Sequence, residues 1–275
     1  MIIFNRLGQL GRLGNQLFQV MATLSHAHAM GVPAAFNKWD YSDRFMNRVD
    51  DSLEEDVMRV NGRDHRIVNH LKFGYTPIPA GKNQCLYGFF QSDRYISQDL
   101  TVLKHLIPSN DLYKASRSKG GSFLNLMNTC SIHVRRGDYL EKQDYHPVQP
   151  IEYYLKAMRI LEEKEGPCNY LVFSDDIAWC KAEFNQFNDK HIEFVDNSNE
   201  ITNNDIVDLY LMSMCKHHII ANSSFSWWGS FLSRILDPAH SGTTIAPANW
   251  CGPKWKAGAK DDTFTDIYLP NWIVL

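Results

Sequence analysis

His133-Val134-Arg135-Arg136-Gly137-Asp138 sets two guanidiniums, a glycine and a carboxylate behind an apolar run, Cys130 to Val134, that reads as a strand entering a loop. Neighbouring side chains diverge in an extended or turning backbone, so the two arginines are not expected to converge on one ligand atom. One of them can fork onto a phosphate, whose oxygens match its planar donors bidentately. The other is left to pair with Asp138 or another carboxylate. A solvated basic turn with an internal ion pair is the plainer reading. His133 sits among apolar neighbours, where a satisfied core histidine is the default, yet its place before the arginines also lets it hydrogen-bond a nucleotide.

Two more polar loops carry groups of the same kind. Asn222-Ser223-Ser224-Phe225-Ser226 stands where a helix begins. Hydroxyls and free amides at a helix N-terminus suit a diphosphate, although serine caps are common without any ligand. Asp175 ends an apolar run and can accept hydrogen bonds from the N1 and N2 donors of a guanine, whereas Asp176 reads equally as a helix cap. Near the start, Gly8-Gln9-Leu10-Gly11-Arg12-Leu13-Gly14-Asn15-Gln16 places glycine at every third position. That spacing is not the dinucleotide fingerprint, but a glycine-rich turn still lets backbone amides approach a ligand. Asn15 is a helix cap there, either plain or facing a site.

These loops need a frame. From about residue 126 onward strands at 130–134, 170–173, 191–195, 218–221 and 243–246 alternate with helices at 151–165, through Trp179 and Phe184, at 205–215, and from the Asn222–Trp228 stretch to Leu236. Such alternation predicts a parallel sheet flanked by helices, with ligands outside the carboxyl ends of its strands. Arg135–Asp138, Ser174–Asp176 and Asn222–Ser226 then share one edge. The nearly apolar helix from Asp205 is expected to be buried, with Asn203 or Asn204 as its cap, and Trp227 and Trp228 read as core. Upstream, the pattern predicts strands at 2–7, 32–36 and 85–91, a helix capped by Asn15 and ended by Gly31, and a helix over 95–106. No order of elements is assigned over 37–82, where Glu54-Glu55-Asp56 reads as a solvated face. The polar, basic stretch 110–121 is the expected domain junction.

Composition bounds the rest. The 275 residues are 44% hydrophobic and 21% charged with a formal charge of −3, which excludes a general attraction to nucleic acid or an anionic membrane. No apolar run approaches the roughly 20 residues of a membrane span. The N-terminus reads as a first strand and not a signal peptide. Six cysteines without a paired spacing read as reduced core residues of a cytosolic protein. No Asp-x-Asp triplet, the usual carboxylate pair that holds a cation against a sugar nucleotide, occurs.

Five separated motifs resemble the α-1,2-fucosyltransferases of glycosyltransferase family 11. They are Gly11-Arg12-Leu13-Gly14-Asn15-Gln16, Gly88-Phe89-Phe90-Gln91-Ser92, His133 to Asp138, Phe173-Ser174-Asp175-Asp176, and Ile220 to Trp228. The resemblance implies an α/β, GT-B-like fold of two Rossmann-like domains facing a central cleft. Their expected spans are 1–125 for the acceptor side and 126–275 for the donor side, with the tail allowed to pack back on the first. It implies an inverting, metal-independent transfer of L-fucose from GDP-fucose to the 2-hydroxyl of a terminal galactose on an oligosaccharide. Arg135 then contacts the β-phosphate, Ser223 and Ser224 hold phosphates beside Asn222 and Phe225, and Asp175 or Asp176 reads guanine. His133 and Arg136 complete the donor site, and Arg12 and Asn15 line the cleft from the other domain. Asp138 is the nearest residue to take the acceptor proton, with Glu141 and Asp144 behind it, unless Arg136 engages it. No cofactor or metal is expected, and the location is cytoplasmic, with peripheral membrane association allowed. The rivals are a transferase using another nucleotide sugar or acceptor hydroxyl, and a non-catalytic nucleotide- or glycan-binding relative.

Overall fold

The structure is a computed structural model that describes residues 1–53, 65–71, 74–187, 189–197, 205–239, 242–258 and 264–275. The acidic run at 54–56 and the caps at 203 and 204 lie outside the described residues. The chain divides into two compact units, Met1–Leu112 with Asp261–Leu269, and Tyr113–Lys260 with Pro270–Leu275.

In the first unit, strands β1 (Ile2–Phe4), β2 (Ala34–Phe36), β3 (Arg66–His70) and β4 (Gln84–Gly88) form a parallel sheet in the order β2-β1-β4-β3. Helix α1 (Leu13–Met30) buries Leu17, Phe18, Val20, Met21 and Ala22, and Gly31 ends it in the left-handed region with φ 60°. The helix begins two residues before Asn15, which is therefore not its cap. Arg12 holds that position and makes no side-chain cap bond. The long helix expected over 95–106 is only α2 (Leu100–Leu103), flanked by 3₁₀ turns at Asp93–Tyr95 and Lys104–Leu106. Asp99 decides this by capping Thr101 N at 2.7 Å, which starts the helix late. β3 supplies a strand in the span where the sequence offered no pattern.

The expected junction at 110–121 is a helix, α3 (Asn110–Gly120), and the division at Leu112/Tyr113 falls inside it. Its polar residues hide a narrow inward face: Leu112 and Ser116 are buried, and Ser116 donates to Val207 O at 3.0 Å.

In the second unit, strands β5 (Thr129–Val134), β6 (Asn169–Ser174), β7 (Ile192–Phe194), β8 (His217–Ile219), β9 (Thr244–Ala246) and β10 (Ile273–Val274) are all parallel. Their order, β10-β9-β8-β5-β6-β7, is the Rossmann order read from its far edge. Helices α4 (Ile151–Glu165), α5 (Ile177–Phe184), α6 (Asp205–Ser213), α7 (Ser224–Leu236) and α8 (Pro253–Gly258) complete it. α4 buries Tyr153, Tyr154, Ala157, Met158 and Leu161, one face at helical spacing. α6 is buried from Ile206 to Ser213, and Trp227 and Trp228 on α7 are fully buried. A buried polar chain fixes α7 to the sheet: Ser131 Oγ meets His218 Nδ1 at 2.8 Å, and His218 Nε2 meets Ser233 Oγ at 3.0 Å. All six cysteines are buried, and none of them forms a disulfide. Among the described residues, no helix is long and apolar enough to cross a membrane.

Candidate active site

The strand order of the second unit reverses between β5 and β8, and that is where an open parallel sheet leaves a crevice beyond its strand ends. The loop after β5 carries Arg135 to Asp138, and the loop after β8 carries Asn222 to Ser224. β5 and β6 pair in register, His133 with Phe173 and Val134 with Ser174, so Arg135 and Asp175 leave the sheet side by side. The three polar loops do share one edge.

Here the carboxylates are spent on the arginines. Arg135 Nη1 donates to Asp175 Oδ2 at 2.9 Å, and its Nη2 pairs with Asp138 Oδ1. Arg136 Nε donates to Asp176 Oδ2 at 3.0 Å while its guanidinium lies 4.1 Å over the Trp179 ring. The Arg136 backbone N–H takes the other oxygen of Asp175 at 2.9 Å, and Asp176 Oδ1 caps α5 through Trp179 N at 3.2 Å. The arginines diverge, as an extended backbone requires. Both oxygens of Asp175 and of Asp176 already hold protein donors. Asp138 pairs with Arg135, with Lys142 Nζ 3.8 Å from its second oxygen. Asp144 is taken by Lys254 at 2.9 Å, and Glu141 is exposed.

Arg135 remains available. Two of its five donors go to carboxylates, which leaves three, and its side chain is 16% exposed. Its guanidinium lies 5.4 Å from the centre of the Tyr139 ring, and the Tyr139 hydroxyl donates to Asn222 O at 3.2 Å. Gly137 makes the arrangement fit: a Cβ there would stand 2.4 Å from Asp175 Oδ2.

Asn222 is a strut. Its side-chain nitrogen donates to Pro147 O and Trp250 O, each at 3.0 Å, so it ties three loops together. Ser223 caps α7 by accepting from Phe225 N at 3.3 Å. Ser224 begins the helix with its side chain half-buried, beside amides that the helix leaves free. Phe225 packs against His133 with ring centres 5.4 Å apart.

His133 is buried, and its Nδ1 has no hydrogen-bond partner among the described residues. Burial first, then the neighbouring Arg135, pushes its pKa down from 6.5 to about 3. Between these values the unfolded chain takes up a proton that the folded chain refuses, so this contribution to stability is complete above 6.5 and is lost as pH falls. The slope is about 1.4 kcal/mol per pH unit for one proton. H133Q is expected to remove that slope, read as the difference between parent and variant in urea denaturation from pH 6.5 to 4.

In the first unit, Arg12 is exposed and Asn15 is half-buried. Asn15 Oδ1 accepts from Gln91 Nε2 at 2.6 Å, which joins the first turn of α1 to the loop after β4, and this sheet also reverses its order between β1 and β4. Gln16 and Gln19 hold the glycine loop by donating to Gly11 O and Leu10 O at 3.1 and 2.9 Å. Gly11 has φ +92°, and a Cβ there would collide with Asn15. Sequence reasoning passed over Tyr139, Trp179 and the steric role of Gly137. An aromatic one turn into the helix after the paired aspartates was the available signal for Trp179.

The sequence model of glycosyl transferase family 11 matches residues 53–275. The chain belongs to this family. It is 34% identical over 168 residues to an alpha-1,2-colitosyltransferase of Escherichia coli, covering 59% of this chain and 54% of that protein. The chain therefore spans about half the length of that relative. It is also 22% identical over 278 residues to the mouse galactoside 2-alpha-L-fucosyltransferase Sec1, covering 96% of this chain and 71% of that one. Among solved structures it resembles a mutant of Arabidopsis thaliana FUT1 in complex with GDP, with a TM-score of 0.58 and 13% identity over 91% of this chain and 72% of the other. That likeness shows the GT-B-like α/β fold. The family match begins after the glycine-rich motif at 11–16, so Arg12 and Asn15 rest on the chain's own geometry.

Proposed function

We propose that this family 11 glycosyltransferase transfers L-fucose from GDP-fucose to the 2-hydroxyl of a terminal galactose, with inversion. One observation carries the reading: Arg135, with three free donors, stands at the switch point of a Rossmann sheet whose other lip is the start of α7. Guanidinium and helix amides on both lips suit a diphosphate. As the C1–O bond breaks, the sugar ring becomes oxocarbenium-like and the β-phosphate gains charge, which Arg135 and the amides at Ser224 stabilise. Asp175 and Asp138 hold Arg135 in place. Asp176 and Trp179 hold Arg136, which keeps the loop shape. His133 and Phe225 line the nucleotide side, and Arg12 and Asn15 serve the acceptor.

The reading includes no metal ion, because the carboxylates nearest Arg135 and Arg136 are all paired with guanidiniums. We place the reaction in the cytoplasm, where six buried thiols stay reduced. The resemblance to a colitosyltransferase favours a second reading in which the donor carries colitose. The test is GDP release in EDTA with lactose as acceptor, from GDP-fucose and the colitosyl donor in parallel. Turnover from GDP-fucose supports the first reading. Turnover from the colitosyl donor alone moves the assignment to the second, and loss in EDTA removes metal independence.

A further inference from the structure

Among the described residues the carboxylates around Arg135 are already engaged by protein donors, and Glu141 is turned to solvent as an exposed residue. Asp138 is held by Arg135 and faces Lys142, Asp144 is paired with Lys254, and Asp175 and Asp176 have given both oxygens to protein donors. Among the described residues the imidazole nearest to Tyr139 has no such engagement. We propose that His146, on the loop after β5, accepts the proton of the attacking hydroxyl. The inference rests on the fucosyl-transfer reading and names the base within it.

The geometry comes first. The His146 ring lies flat on Tyr139, with centres 4.8 Å apart and planes 19° apart, and Tyr139 in turn faces the Arg135 guanidinium at 5.4 Å. Tyr139 thus touches both the imidazole and the group assigned to the leaving phosphate. In an inverting displacement the nucleophile enters opposite the leaving group, so its base belongs about a sugar ring's width from the phosphate-holding group. His146 is half-buried, and among the described residues no protein hydrogen bond occupies either ring nitrogen.

Its loop is also held firmly. Gly252 N donates to Tyr145 O at 2.8 Å and Lys254 N donates to Asp144 O at 2.9 Å, which zips residues 144–145 to the start of α8. Gly252 permits this approach, since a Cβ there would stand 2.3 Å from Asp144 O. Trp255 closes edge-on against both Tyr145 and His146. Asn222 grips Pro147 O from the third loop.

The charges suit a base that starts neutral. Burial, Lys142 and Arg135 push the His146 pKa below its ordinary value, while Asp138 pulls the other way and will favour the imidazolium once it forms. Tyr139 is pushed up to about 12 and stays neutral, and Lys254 on the α8 side is paired with Asp144. In the step itself, a lone pair of the acceptor oxygen forms the bond to C1. The C1–O bond to the β-phosphate breaks, its electron pair leaves with GDP, and the hydroxyl proton passes to a ring nitrogen of His146 and from there to solvent.

The test compares parent, H146Q and H146N by GDP release with acceptor from pH 5 to 9, and by calorimetric GDP binding. Loss of a positioned base is expected to lower kcat by about 10²-fold or more at neutral pH. The acid limb of the parent kcat profile is expected to vanish in both variants, with GDP affinity unchanged within about threefold. A group that only packs under Tyr139 would lower kcat and leave that limb standing, and such a result overturns the proposal. So does parental kcat in both variants. A parent that turns over neither donor removes the fucosyl-transfer reading itself, and the inference falls with it. Using two polar, non-titrating replacements keeps the comparison open if one of them fails to fold.

Discussion

R135A is expected to lower kcat for GDP release by roughly 10²–10³-fold, the loss seen when a donor to a developing anion is removed. Affinity for GDP is expected to fall by less than about tenfold, because the guanidinium matters most when the β-phosphate acquires its extra charge. R135K separates charge from geometry. A lysine restores a cation but cannot serve Asp138, Asp175 and a phosphate from one rigid fork, so it is expected to recover little. Loss of GDP affinity with kcat unchanged would place Arg135 in ground-state binding alone.

D175N is expected to have the second-largest effect. Asparagine keeps the shape, and its oxygen can still accept from Arg136 N, now at 2.9 Å. Its NH₂ would then face Arg135 Nη1, at the 2.9 Å separation where an oxygen now accepts. Two donors opposed at that distance push Arg135 aside and leave it to Asp138. We expect kcat/KM to fall by about 10²-fold. Stability is expected to fall by about 1–3 kcal/mol, the cost of unmaking a partly buried charged hydrogen bond. Because Asp175 acts through Arg135, R135A/D175N is expected to be no less active than R135A, whereas independent roles would give additive losses. Kinetics of the three variants, with urea denaturation for stability, decide the point.

Much of the candidate site could be read along the chain. The loops holding Arg135, Asp175 and Ser224 follow apolar runs bounded by polar residues, and such runs become parallel strands when helical patterns alternate with them. α4 was legible to the residue, because its buried positions recur at helical spacing and Gly166 stops it. Harder cases were those where one contact outweighed a pattern. A serine reaching Val207 O and one buried leucine turned the polar stretch at 110–121 into a helix. Asp99 shortened another by capping it late. Asn15 lost its capping role when α1 began at Leu13, and Gln91 became its partner.

What the chain determined by itself was its family, its strand–helix alternation and the edge on which the polar loops gather. These follow from local residue types and from the periodicity of burial, which each segment carries in its own sequence. What only the tertiary structure decided was how the charges pair. Arg135 and Arg136 find their partners at Asp175 and Asp176, some forty positions away, because β5 and β6 lie in register and bring those loops together. That register sets which carboxylates are spent and which ring stays free, and no local spacing encodes it, since an ion pair depends on separation in space and not along the chain.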